Sequence, residues 1–128
     1  MKVNVVDTAG RLARHLAAWG YTSAEVDVRS VAGILHLKSG IAAIDGKRLV
    51  VMEALAGHAA FEGYERLVVA PAETYAANCV RVNDALLVAA GFPKFESDAR
   101  RLGLDVIVLD MSEFQKMDGG LSCLSLRF

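Results

Sequence analysis

The chain has 128 residues, of which 54% are hydrophobic and 23% charged, with a formal net charge of −1. That length is one small domain or a piece of a larger one, and the apolar share excludes a disordered segment. The near-neutral balance and scattered Lys and Arg exclude the clustered basic surface of a nucleic-acid-binding domain; the densest basic pair, Arg100 with Arg101, reads as a solvated helix face.

Apolar runs such as residues 85–91 fall far short of the ~20 residues needed to cross a bilayer. Asp7 and Arg11 interrupt any apolar leader near the start. Cys79 and Cys123 could pair, but a small secreted disulfide scaffold usually carries more cysteines, so the expected compartment is the reducing cytoplasm.

In chain order, residues 8–19 place Leu12, Leu16 and Trp19 at helical spacing, with Gly20 as the stop. Val26 and Val28 alternate with Asp27 and Arg29, which predicts a strand over 24–29. Short strands are expected at 34–37 and 41–44. Asp45-Gly46 is a hairpin turn signal, and residues 49–52 return. A buried strand is expected at 67–70 and another at 79–82, where Asn83-Asp84 turns the chain into a return at 85–90. Residues 94–102 read as a helix with Phe95, Ala99 and Leu102 on one face, ended by Gly103. A strand at 106–109, a helical turn at 112–117 and an alternating apolar strand at 121–128 complete the chain.

Hairpin, helix and strand therefore recur at 34–70 and 78–109, and 38 positions separate the turns at Asp45 and Asn83. A lag of that size marks a repeat architecture, in which single units cannot bury their own sheet faces. The fold class is α/β (α+β).

Cys123 lies in Asp118-Gly119-Gly120-Leu121-Ser122-Cys123-Leu124-Ser125, where two glycines allow close backbone approach to a ligand. His36 lies between Leu35 and Leu37. Spacing alone leaves two readings open for both residues: an inert core cysteine and a satisfied core histidine, or a nucleophile and a proton carrier that meet only in the fold. Cys79 is expected in the core, His15 and His58 on the surface, and Glu62 and Glu65 in a solvated loop.

Three motifs add to this. His-Leu-Lys-Ser-Gly at 36–40, Ala-Ala-Asn-Cys at 76–79 and Met-Asp-Gly-Gly-Leu-Ser-Cys-Leu-Ser at 117–125 resemble, in order and spacing, motifs of the dimethylarginine dimethylaminohydrolases. The resemblance runs from about Thr8 onward. It implies a pentein-type pseudo-fivefold propeller of ββαβ units, of which residues 1–128 would be a single partial domain, about two and a half units from the C-terminal half. It implies hydrolysis of dimethylarginine to citrulline and dimethylamine, with Cys123 as nucleophile, His36 as acid and base, and Asn78, Asp118 and Gly119 at the substrate. No metal or cofactor is needed for that cycle. Arginine deiminases, which are related, typically carry Asp two residues after the His; Lys38 stands there and points away from them.

Family members are about twice this length. The resemblance implies that the family's N-terminal part, expected to be absent here, supplies carboxylates for the guanidinium and at least one arginine, and residues 1–7 lack the arginine expected before this helix. The alternative reading is therefore a non-catalytic fragment or interaction domain. The expected partners are a methylated arginine or related guanidine and either a second copy in a homodimer or a separate N-terminal half, with no nucleic acid and no membrane.

Overall fold

A computed structural model describes residues 5–34 and 36–126. Helix α1 (Val5–Ala18) is followed by an irregular stretch and a 3-10 turn (Leu37–Ser39). Strands β1 (Ile41–Ala43), β2 (Arg48–Met52) and β3 (Glu65–Val69) form one sheet in that order. Strands β4 (Val80–Val82), β5 (Ala85–Ala89) and β6 (Asp105–Leu109) form the second, after a 3-10 segment (Pro71–Ala77). Helix α2 (Pro93–Arg100) bridges β5 and β6, and a single turn of helix, α3 (Ser112–Gln115), follows β6.

Both sheets have the same construction: an antiparallel hairpin, then a parallel third strand on its return arm. Val50 pairs with Ala42 and Leu67 in the first, and Leu86 with Arg81 and Val106 in the second. The repeat expected from the turn spacing is thus present. The chemistry of the first turn is local: Asp45 Oδ1 accepts from the Lys47 and Arg48 amides at 2.8 Å each, and Arg48 Nε donates to Asp45 Oδ2 at 2.7 Å. In the second, Asn83 takes the left-handed conformation (φ 54°) that Asn tolerates well.

The two units share one core. Val50 and Val51 of β2, Leu86 and Val88 of β5, Leu55, Phe61, Phe95 and Ala99 are buried in a single cluster. Two arginines tie the units together through backbone acceptors: Arg48 Nη1 donates to Leu102 O at 3.0 Å, and Arg81 Nη1 to Ile44 O at 2.8 Å.

Several expected elements differ. The first crossover holds two 3-10 turns (Glu53–Leu55 and Ala59–Phe61) in place of a helix. It is short and carries Gly57 and Gly63, the latter left-handed at φ 87°. Residues 24–29 form no strand: Val26 and Val28 pack on the core, while Arg29 grips Asp27 at 2.6 Å, so alternation is satisfied without a ladder. Of the strand expected at 34–37, Leu35 lies outside the described residues, Ile34 is in a loop and Leu37 begins a 3-10 turn. Residues 121–124 form a turn closed by Leu124 N–H donating to Gly120 O at 3.1 Å, in place of the expected strand, and residues 127–128 lie outside the described set.

Helix α1 ends as expected. Gly20 (φ 81°) follows it, and the Tyr21 amide donates to Leu16 O at 3.0 Å, the backbone pattern of a glycine stop. The apolar residues at helical spacing are not all covered, since Leu12 is 59% and Trp19 74% exposed. His58, expected at the surface, is half-buried: its Nδ1 accepts from Ala60 N–H at 3.1 Å and caps the second 3-10 turn. Glu65 stands on β3 and not in a loop, while His15 and Glu62 are exposed. Arg100 and Arg101 are exposed and pair with Glu96 and Asp98 on their own helix, as a solvated face would.

Candidate active site

Three segments converge on one cavity of about 490 Å³, lined by Gly33, Ile34, His36, Ser39, Thr74, Tyr75, Asn78, Gln115, Asp118 and Cys123. His36 precedes the 3-10 turn that leads into β1. Gly40, at the end of that turn, is buried, and its carbonyl accepts from Met52 N–H at 2.8 Å, which seats the His36 turn on β2. His36 itself is exposed and lines the cavity.

Cys123 is carried by the loop after α3. The Gly119 amide donates to Phe114 O at 2.9 Å and the Asp118 amide to Gln115 O at 3.1 Å, so the helical turn ends with Asp118 left-handed at φ 56°. Asp and Asn occupy that conformation more readily than most residues, which is the local reason for Asp-Gly here. The Asp118 side chain is exposed and borders the cavity.

The segment from Pro71 to Cys79 grips this loop. Asn78 is the buried polar residue of the described core, at 5% exposure. Its Oδ1 accepts from Ser122 N–H at 2.9 Å, and its Nδ2 donates to Cys123 Sγ at 3.7 Å. The Tyr75 hydroxyl donates to Gly119 O at 2.7 Å. Glu73 anchors the segment from the other side: its carboxylate accepts from the Lys94 and Phe95 amides at 3.1 and 2.6 Å, at the start of α2. A carboxylate on free helix N–H groups is favourable electrostatically.

The two thiols differ sharply. Cys79 is buried and Cys123 exposed. Burial pushes the Cys79 thiol up to about 12, which keeps it protonated and unreactive. Tyr75 is also raised above the ordinary tyrosine value, first by burial and then by the charge at Cys123.

The fold therefore brings together His36, Asn78, Asp118 and Cys123, while Gly119 contributes its carbonyl to Tyr75 behind the cavity wall. Sequence reasoning missed Tyr75, Thr74, Ser39 and Gln115. Thr74 and Tyr75 immediately precede the Ala-Ala-Asn-Cys motif, and that adjacency was the available signal. Among the described residues, no group of three or more His, Cys, Asp or Glu is placed to hold a metal ion. No helix among them is long and apolar enough to cross a membrane.

Searched against protein-family models, the chain matches none. Its relatives are nonetheless specific. It is 39% identical over 95 residues to an N(G),N(G)-dimethylarginine dimethylaminohydrolase of Pseudomonas aeruginosa, covering 74% of this chain and 37% of that protein. It is 30% identical over 115 residues to one of Streptomyces coelicolor, covering 87% of this chain and 42% of that protein. A solved dimethylarginine dimethylaminohydrolase from Pseudomonas aeruginosa, a cysteine-to-serine variant complexed with citrulline, superposes with a TM-score of 0.86 at 33% identity over 94% of this chain and 46% of that one. This chain is homologous to part of the dimethylarginine dimethylaminohydrolases. A second structure, a histidine-to-glycine variant of such an enzyme as an adduct with S-methyl-L-thiocitrulline, gives a TM-score of 0.85 at 33% identity and again covers 94% of this chain and 46% of that one. The fold is thus that of the matched part of a dimethylarginine dimethylaminohydrolase, and the chain spans less than half the length of the relatives it matches.

Proposed function

We propose that this chain carries the nucleophile and proton carrier of a cysteine-dependent hydrolase acting on N-methylated arginine. The observation that supports this is the meeting of His36 and Cys123 on one cavity, although 87 positions separate them in the sequence. The Cys123 thiolate attacks the guanidinium carbon, and a positively charged substrate beside it favours the thiolate form. His36, protonated, gives its proton to the departing dimethylamine, leaving a thiouronium on Cys123. His36 then takes a proton from water, the resulting hydroxide attacks the same carbon, and the C–S bond breaks to release the thiolate and citrulline, the hydroxyl proton passing to solvent as the carbonyl forms. Asp118 borders the cavity on the loop that carries Cys123, and the resemblance puts Gly119 and Asn78 with it at the substrate. The cycle uses no metal and no cofactor.

The carboxylates and arginine that would hold the substrate's two ends belong, in this reading, to the other half of a five-unit propeller of which this chain is one partial, cytoplasmic domain. The test is citrulline formation from asymmetric dimethylarginine, by the chain alone and with the N-terminal half of a relative added, each beside Cys123→Ser. Product that disappears in Cys123→Ser supports the hydrolase. No product in any mixture leaves the second reading, a non-catalytic interaction domain.

A specific surface favours association in either case. Val82, Phe114 and Leu124 line one groove, and Ile107, Val108 and Leu109 stand on the edge strand β6; each is between 37% and 55% exposed. Apolar surface of that kind marks a contact with another chain. A homodimer covers it by twofold symmetry, and sedimentation equilibrium at micromolar concentration distinguishes the dimer from a monomer awaiting its other half.

A further inference from the structure

The resemblance groups Asn78 with substrate-binding residues, yet both of its polar side-chain atoms are already engaged. Oδ1 accepts from Ser122 N–H at 2.9 Å, and Nδ2 points an N–H at Cys123 Sγ at 3.7 Å. The residue lines the cavity but is only 5% exposed. The neighbouring residue is shaped around it: a Cβ on Gly120 would lie 2.1 Å from Asn78 Nδ2 and 2.7 Å from its Cγ. Gly120 is thus small because the Asn78 amide occupies the space a side chain would take.

We propose that Asn78 is a positioning residue of the nucleophile and not a substrate ligand: one amide fixes the backbone before Cys123 and offers the thiolate a hydrogen-bond donor. The inference rests on the reading of Cys123 as the reacting thiol. A buried, uncharged donor suits that task. It gives the reacting sulfur a hydrogen-bond donor, and it does not compete as a cation with a guanidinium substrate. The amide cannot rotate freely, because a flip would set its NH₂ against the Ser122 N–H and its oxygen against the thiolate. The backbone that holds it is itself fixed, by Tyr75 to Gly119 O and by Glu73 on α2. The other titratable groups that line the same cavity are His36, Tyr75 and Asp118.

The test is the pH dependence of Cys123 alkylation by iodoacetamide in the intact chain, with buried Cys79 as the silent control. Asn78→Asp keeps the acceptor for Ser122 N–H but sets a negative charge against the sulfur. Its alkylation midpoint is expected to rise by about one pH unit or more over the native chain. Gly120→Ala, which displaces the amide from the other side, moves the midpoint in the same direction and carries the test where Asn78→Asp does not fold. In the native chain, the Asn78 side-chain NH₂ resonances are expected to titrate with the midpoint of Cys123 alkylation. An unshifted midpoint in a folded variant, or NH₂ signals that ignore the thiol, overturns the proposal. Citrulline formation is scored separately. A shifted midpoint without turnover sinks the hydrolase reading alone, and turnover with an unshifted Asn78→Asp profile sinks the Asn78 role alone.

Discussion

The Tyr75 hydroxyl donates to the Gly119 carbonyl at 2.7 Å, joining positions 44 residues apart, and so fastens the Cys123 loop to the 3-10 segment before β4. Removing the hydroxyl as Tyr75→Phe keeps the ring against Phe92, 5.6 Å away between centroids. It leaves the Gly119 carbonyl without that donor. The expected loss is about 0.5–1.5 kcal/mol in urea unfolding. The pH dependence has a definite sign. Burial raises the Tyr75 hydroxyl in the folded chain, so its contribution is complete below the unfolded value of about 10 and is lost as pH rises through the folded one. A stability gap between native and Tyr75→Phe chains that already closes near neutral pH would contradict this.

Cys79 and Cys123 should separate cleanly by alkylation. With Cys79 buried and held up to about 12, iodoacetamide at neutral pH is expected to mark the Cys123 peptide alone in the folded chain. In urea both cysteines react. Mass spectrometry of the digested chain decides it: label on Cys79 under native conditions means that the β4 end opens readily.

What was legible in the sequence was what is settled locally or by pairing inside this chain. Asp45-Gly46 and Asn83-Asp84 fix their hairpins through side-chain and left-handed backbone chemistry within four residues, and the strands beside them have partners in the chain. The strands expected at 24–29 and 121–128 have the same alternation, but no strand among the described residues pairs with them. Alternation records which side chains face a core; it does not supply a hydrogen-bonding neighbour. The candidate site divides in the same way. His36 and Cys123 stand in recognisable motifs. Tyr75 and Glu73 do not, because each acts on a residue more than twenty positions away.

Asp45 should make the first hairpin sensitive to acid. The Lys47 amide first, and then the Arg48 side chain, hold its carboxyl down to about 2. A depressed folded value means that the stabilisation is fully present above the unfolded value of about 3.9 and disappears as pH falls from there through the folded one. Asp45→Asn keeps an acceptor for the backbone amides but loses the charge. Urea unfolding is expected to show the variant weaker than the native chain at pH 7, with the gap narrowing toward pH 2. A gap of constant size across that range would remove the charge from the explanation.

Gly40 sets how closely the His36 turn sits on the core. Its backbone (φ −115°) suits any residue, so the constraint is space alone. A Cβ there would lie 2.5 Å from Met52 Sδ and 3.2 Å from Leu55 Cδ1. Gly40→Ala is therefore an overpacking change, with an expected loss of about 1–3 kcal/mol, toward the lower end because a methionine side chain can move aside. The cause can be isolated by a double-mutant cycle with Met52→Ala. That change costs stability by itself, since Met52 is 4% exposed, but it removes the atom in the way. Gly40→Ala should then cost markedly less in the Met52→Ala background than in the native chain. Additive losses would instead assign the effect to Leu55 or to the turn itself, because sites in contact couple and independent ones add.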